Sequence, residues 1–152
     1  RLLTSNSVEW RTGKGSTILF FEVGSPTNRK KLFGPLLAKF PNKAIHFLHP
    51  GFVLRGLSLW HEFKAELERR RSANYHDKPM SGFYAVLAMM QMCESLDVYG
   101  FEPYTKKTAI PYHYFDAVQG VTEHHSFDFA IYLYQMLAEE YPLSIKKNPN
   151  LR

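Results

Sequence analysis

The apolar positions fall into short blocks whose period changes along the chain. Thr17-Ile18-Leu19-Phe20-Phe21-Glu22-Val23 is a brief apolar run between Gly15 and Gly24, which predicts a buried strand. From 26 to 40 the spacing turns helical. Leu32, Leu36, Leu37 and Phe40 share one face, and Pro26 stands near the start, where its fixed φ and missing N–H do no harm. Ala44 to Leu48 predicts a second short strand, broken by His49-Pro50-Gly51. Phe52 to about Arg71 predicts a helix with a charged second half, and Ser72 to Pro79 predicts a polar surface loop.

Gly82 to Glu94 is apolar on nearly every side, through Phe83, Tyr84, Val86, Leu87, Met89, Met90 and Met92. A helix apolar all round is a buried one, so Cys93 within it is expected to be buried. Leu96 to Phe101 predicts a third strand, ended by Glu102-Pro103. Residues 102 to 125 have no clear period. Phe127, Ala130, Ile131, Tyr134, Leu137 and Ala138 then line one face of a final helix. Strands alternating with helices predict an α/β layered fold with a parallel sheet.

Composition sharpens this picture in a few respects. With 152 residues, 45% of them apolar and 15% aromatic, the chain can build the core of one ordinary domain. Its net charge of +5 suits an anionic partner such as a nucleotide-sugar or a nucleic acid. The basic clusters Arg29-Lys30-Lys31, Arg69-Arg70-Arg71 and Lys146-Lys147 are also what a solvated face carries. No run of eighteen apolar residues is present to span a membrane. The first residue is Arg1 and no leader is visible, so the chain reads as a piece of something longer. Cys93 is the only cysteine and can make no internal disulfide.

Three places offer chemistry. Pro79-Met80-Ser81-Gly82 opens the apolar helix. Ser81 is placed to cap it, and Gly82 would let a ligand approach the backbone where amides and the helix dipole favour an anion. A purely structural cap fits the same residues. Tyr112-His113-Tyr114-Phe115-Asp116 gathers hydrogen-bond donors suited to a phosphate, or else forms an aromatic corner of the core. His124-His125 precedes the last helix, where positive potential favours the neutral imidazole that a general base needs. A pair of surface histidines is the plainer reading. The spacing of His113, Asp116, His124 and His125 matches no standard metal motif, and no metal or cofactor is expected.

The three places occur together and in one order, and that order resembles glycosyltransferase family 29, the animal-type sialyltransferases. Pro79, Ser81, Gly82, Cys93, Glu94, Asp97 and Tyr99-Gly100-Phe101 resemble the family's small sialylmotif. His113-Tyr114-Phe115-Asp116 is similar to its third motif, and His125 to the start of its very small motif. Phe47-Leu48-His49-Pro50-Gly51-Phe52 and Trp60 are similar to the segment that precedes the small motif. The chain departs from the family at Met80, where Ser or Thr is usual, and at Ala130, where Glu is usual. The large sialylmotif would lie before Arg1.

The resemblance implies a Rossmann-like parallel sheet flanked by helices, a GT-A-like variant incomplete at its N-terminus. Residues 1–152 would be the C-terminal part of a single sialyltransferase catalytic domain. It implies metal-independent, inverting transfer of sialic acid from CMP-sialic acid to a glycan hydroxyl. His125 would be the base and His113 would stabilise the leaving phosphate. Tyr112 and Tyr114 would assist, and Ser81 and Gly82 would hold the donor. Cys93 would pair with a cysteine of the large motif. The partners would be the nucleotide-sugar donor and the glycan acceptor, not nucleic acid. The setting would be the Golgi lumen, with membrane contact only through a missing N-terminal anchor. The 152-residue piece by itself is expected to be inactive. Two other readings start from the same residues: a sialyltransferase-like binding protein with a decayed site, suggested by Ala130, and a nucleotide-binding α/β module of another family.

Overall fold

The computed structural model describes residues 17–20, 26–101, 112 and 124–146. In chain order the elements are β1 (Thr17–Phe20), α1 (Pro26–Lys39), β2 (Ala44–Phe47), α2 (Pro50–Arg71), α3 (Ser81–Met90), β3 (Leu96–Tyr99), α4 (Phe127–Glu140) and β4 (Leu143–Lys146). The chain divides into two compact units, 1–55 and 56–152, and the division falls inside α2.

In the first unit β1 and β2 pair in parallel, with Thr17 opposite Ala44 and Phe20 opposite Phe47. A parallel pair needs a crossover, and α1 lies in it. The Phe33 ring of α1 lies 3.8 Å from that of Phe47 on β2, centroid to centroid. The strands are less enclosed than their apolar runs suggest. Leu19 is 40% exposed, and along β2 Ala44 and His46 face outward while Ile45 and Phe47 are half-buried. On α1, Leu36 is buried but Leu37 is 44% exposed, so the apolar face is narrower than the sequence suggests.

His49-Pro50-Gly51, expected only to break a strand, starts a helix. Pro50 is the first residue of α2, a position that tolerates a missing N–H. The amides of Phe52 and Val53 donate to the His49 carbonyl, and the Gly51 amide donates to His49 Nδ1 at 3.1 Å. The imidazole thus takes the part of a capping side chain. At the other end Ser72 adopts φ 50°, the left-handed conformation that commonly closes a helix, and its amide returns to the Glu68 carbonyl.

The second unit has an aromatic core. Trp60, Phe83, Phe129, Leu133 and Tyr134 are fully buried. The Trp60 ring meets Phe83 edge-on at 5.1 Å and Phe129 at 4.5 Å, and Tyr75 stacks on Phe129 at 5.0 Å. Such contacts add to the burial term, and a buried aromatic of this size typically contributes about 3–5 kcal/mol against alanine. The Tyr84 ring of α3 packs against α2 at Gly56, whose hypothetical Cβ would sit 3.0 Å from it.

β3 and β4 form a second parallel pair, Leu96 opposite Leu143 and Tyr99 opposite Lys146. At four residues, β4 is too short for its apolar pattern to predict it from the sequence. The sequence predicts one parallel sheet; the described residues form two separate two-stranded parallel pairs. No helix among the described residues is long and apolar enough to cross a membrane.

The expectation of a buried Cys93 is not met. α3 stops at Met90, and the amides of Gln91, Met92 and Cys93 fold back onto the Ala88 and Met89 carbonyls. Met92 is 66% exposed, and Cys93 is an exposed free thiol. Nor is α3 apolar on every side in effect. Phe83, Tyr84, Val86 and Ala88 are buried, while Ser81 and Ala85 lie outward. The apolar run continued past the helix that buries it.

Candidate active site

The clearest local architecture is at loop 72–80, which the sequence marked as an ordinary polar surface loop. Its Tyr75 and Pro79 are buried. Three successive carbonyls of this loop each receive a ring nitrogen. Trp60 Nε1 donates to the His76 carbonyl at 3.0 Å. His61 Nε2 meets the Asp77 carbonyl at 3.2 Å, and His125 Nδ1 meets the Lys78 carbonyl at 3.1 Å. A carbonyl oxygen can only accept, so a hydrogen bond from either histidine requires the hydrogen on the ring nitrogen that faces it.

Other bonds tie the loop's remaining groups. The Tyr75 amide donates to Glu68 Oε1, and the His76 amide donates to Ser126 Oγ at 2.9 Å. Asp77 pairs with Lys64 of α2 at 2.8 Å. The hydrogen bond from Lys64 holds the Asp77 carboxyl below the usual carboxylate range, and the same bond raises Lys64 above the usual lysine value. The loop is therefore clasped from α2 on one side and from residues 125–126 on the other.

This clasp brings sequence-predicted site residues together. Lys78 is three residues before Ser81, so at most about 11 Å of chain separates the His125 contact from the start of α3. His125 is half-buried, with Nδ1 at the Lys78 carbonyl. Tyr112 joins from another direction. Its ring lies 5.7 Å from that of Phe127, and the His125 ring lies 6.1 Å from the same Phe127.

At the start of α3 the structure corrects one assignment. Ser81 does not cap the helix: it is the first helical residue and exposed, the cap position is Met80, and no side chain caps there. The Phe83 amide is taken up locally, by the Met80 carbonyl at 3.1 Å. Gly82 is also explained by packing. A Cβ there would lie 2.6 Å from the edge of the Phe101 ring, which itself packs on Tyr134. Burial pushes the Tyr134 hydroxyl far above its usual value, and that hydroxyl has no hydrogen-bond partner among the described residues.

His113 and Tyr114 lie outside the described residues, as does Asp116. Cys93 falls beyond the opposite end of α3 and is not part of this cluster. Ala130 is 1% exposed. The resemblance places a carboxylate at 130, but the group that meets His125 is the Lys78 backbone carbonyl. Sequence reasoning missed it, since backbone groups leave no mark in composition. Among the described residues no three His, Cys, Asp or Glu side chains gather as a metal site would require.

Residues 16–141 match the family model for glycosyltransferase family 29 (sialyltransferase), and the chain belongs to that family. It is 30% identical over 112 residues to the beta-galactoside alpha-2,6-sialyltransferase 2 of Rattus norvegicus, covering 70% of this chain and 20% of the relative. Against the Homo sapiens protein of the same name it is 31% identical over 100 residues, 64% of this chain and 18% of the relative. The Gallus gallus protein is 32% identical over 90 residues, 57% and 16%. The chain thus spans about a fifth of the length of these relatives. No solved structure matches it at a significant level.

Proposed function

We propose that this chain is the C-terminal part of a sialyltransferase catalytic domain that moves sialic acid from CMP-sialic acid onto a glycan hydroxyl. The single observation that carries the reading is the His125 contact on Lys78, three residues from the start of α3. In this reading His125 Nε2 takes the proton of the acceptor hydroxyl. The hydroxyl oxygen then bonds to the anomeric carbon as the bond to the CMP phosphate breaks, with inversion and without metal. Nδ1–H on a carbonyl suits such a base, because it fixes both the tautomer and the aim of Nε2. His113, with Tyr112 and Tyr114, stabilises the charge that grows on the departing phosphate. Ser81 and Gly82 offer the donor the uncapped amides at the start of α3.

Parallel strand pairs linked through helices are the material of a Rossmann-like, GT-A-like domain. Cys93, being exposed, is open to a cysteine elsewhere in the full-length protein. That bridge would form in an oxidising compartment such as the Golgi lumen.

The test is transfer from CMP-sialic acid by the full-length protein and its His125→Ala variant. Loss of the base should lower kcat by roughly 100-fold or more. A variant as active as the parent would remove His125 from the mechanism.

A further inference from the structure

Ser126 occupies the N-cap position of α4, with φ −100° and ψ 94°. Serine is favoured there because its hydroxyl ordinarily accepts an amide of the helix's own first turn. Here it makes no capping bond. Its Oγ accepts instead from the His76 amide, fifty residues away in sequence, although Ser126 is only 8% exposed. A hydroxyl withdrawn from its own helix and given to a distant loop marks that loop as the thing being held.

What the loop does next is on the adjacent residues. The His76 carbonyl is fixed by Trp60 at 3.0 Å, so the peptide groups on both sides of His76 are held. Two residues on, the Lys78 carbonyl meets His125 Nδ1 at 3.1 Å. His125 and Ser126 are neighbours in sequence, and each grips the same loop. The two bonds close a short ring of chain, 76–78 against 125–126.

We propose that Ser126 is a positioning residue for His125. By holding the His76 amide it keeps the Lys78 carbonyl on Nδ1, so that Nδ1 stays protonated and Nε2 stays free and aimed. The proposal rests on the reading of His125 as the base, but its first consequence, the tautomer, can be measured without any turnover.

The experiment uses full-length protein labelled with ¹⁵N-histidine, together with Ser126→Ala and Ser126→Thr. In the parent, the His125 ¹⁵N shifts should report the Nδ1–H tautomer. In Ser126→Ala they should move toward the Nε2–H form that free histidine prefers, with kcat lowered about tenfold and KM within about twofold. Ser126→Thr, which keeps the hydroxyl, should restore both the tautomer and the rate. A parent in the Nε2–H form, or Ser126→Ala with an unchanged tautomer and rate, overturns the proposal. If Ser126→Ala does not fold, Trp60→Phe loosens the same loop through the His76 carbonyl and should shift the tautomer in the same direction; no shift would overturn it equally. Should His125→Ala prove fully active while Ser126→Ala still shifts the tautomer, the base assignment fails and the positioning contact stands.

Discussion

The starts of α3 and α4 look alike in sequence, a serine followed within two residues by a phenylalanine and an apolar stretch, and they are built in opposite ways. At α3 the serine is one residue too late to cap, and its side chain faces outward. At α4 the serine stands in the cap position and turns its hydroxyl away to His76. The first start is left without a side-chain cap and is held from behind by Gly82 against Phe101. The second is lashed to a loop that α2 also grips. The difference teaches that a helix start can serve either as an open set of donors or as an anchor. The amino acid alone does not say which. What decides is whether another segment lies within hydrogen-bond reach.

Three changes probe this contrast. The largest effect should come from Gly82→Ala. A Cβ 2.6 Å from the Phe101 ring must displace that ring, which is wedged on Tyr134. Overpacking of this kind costs about 1–3 kcal/mol, readable as a lower midpoint in denaturant. A shorter partner, in the double variant Gly82→Ala/Phe101→Leu, should recover part of it. If Gly82→Ala is neutral, packing does not explain the glycine.

A smaller effect belongs to the lashed side. Lys64→Met removes the cation that holds Asp77 down, so the Asp77 carboxyl should titrate higher, nearer its ordinary value of 3.8, by NMR. The sign follows for both partners. The depressed Asp77 contributes above its ordinary value and loses that contribution as pH falls through the lowered one. The raised Lys64 contributes below its ordinary value of 10.5 and loses it as pH rises through the raised one. The grip of α2 on the loop should thus hold from mildly acid to alkaline pH. At both extremes the ion pair's share should be lost in the parent while the Trp60 bond remains, and neither limit should appear in the variant.

The smallest effect should be at Ser81. With no capping bond to lose, Ser81→Ala should change stability by no more than about 0.5 kcal/mol. A true N-cap serine would cost about 1 kcal/mol. A loss of that size would mean that Ser81 caps α3 in solution after all.

Much of the outline was legible in the sequence. Helical spacing gave α1 and α4 nearly to the residue, and Pro50 would have marked the start of α2 had it been read as a first helical residue rather than as a breaker. Family membership was legible as well, since Pro79, Ser81, Gly82 and Tyr99-Gly100-Phe101 keep their order and spacing whatever the fold does around them. Cys93 was given to a buried helix because apolar residues run on past Met90, but a run says nothing about where the neighbouring helices end.

The sequence by itself determined the strand–helix alternation, the aromatic content of the core and the family. Each is written in residue type and local spacing, which period and order preserve. Tertiary structure alone decided that loop 72–80 is held on two sides, that His125 Nδ1 meets the Lys78 carbonyl, and that Ser126 serves a loop rather than its own helix. These depend on backbone carbonyls and amides, which every residue carries alike. Only their arrangement in space gives one carbonyl a histidine and another a tryptophan.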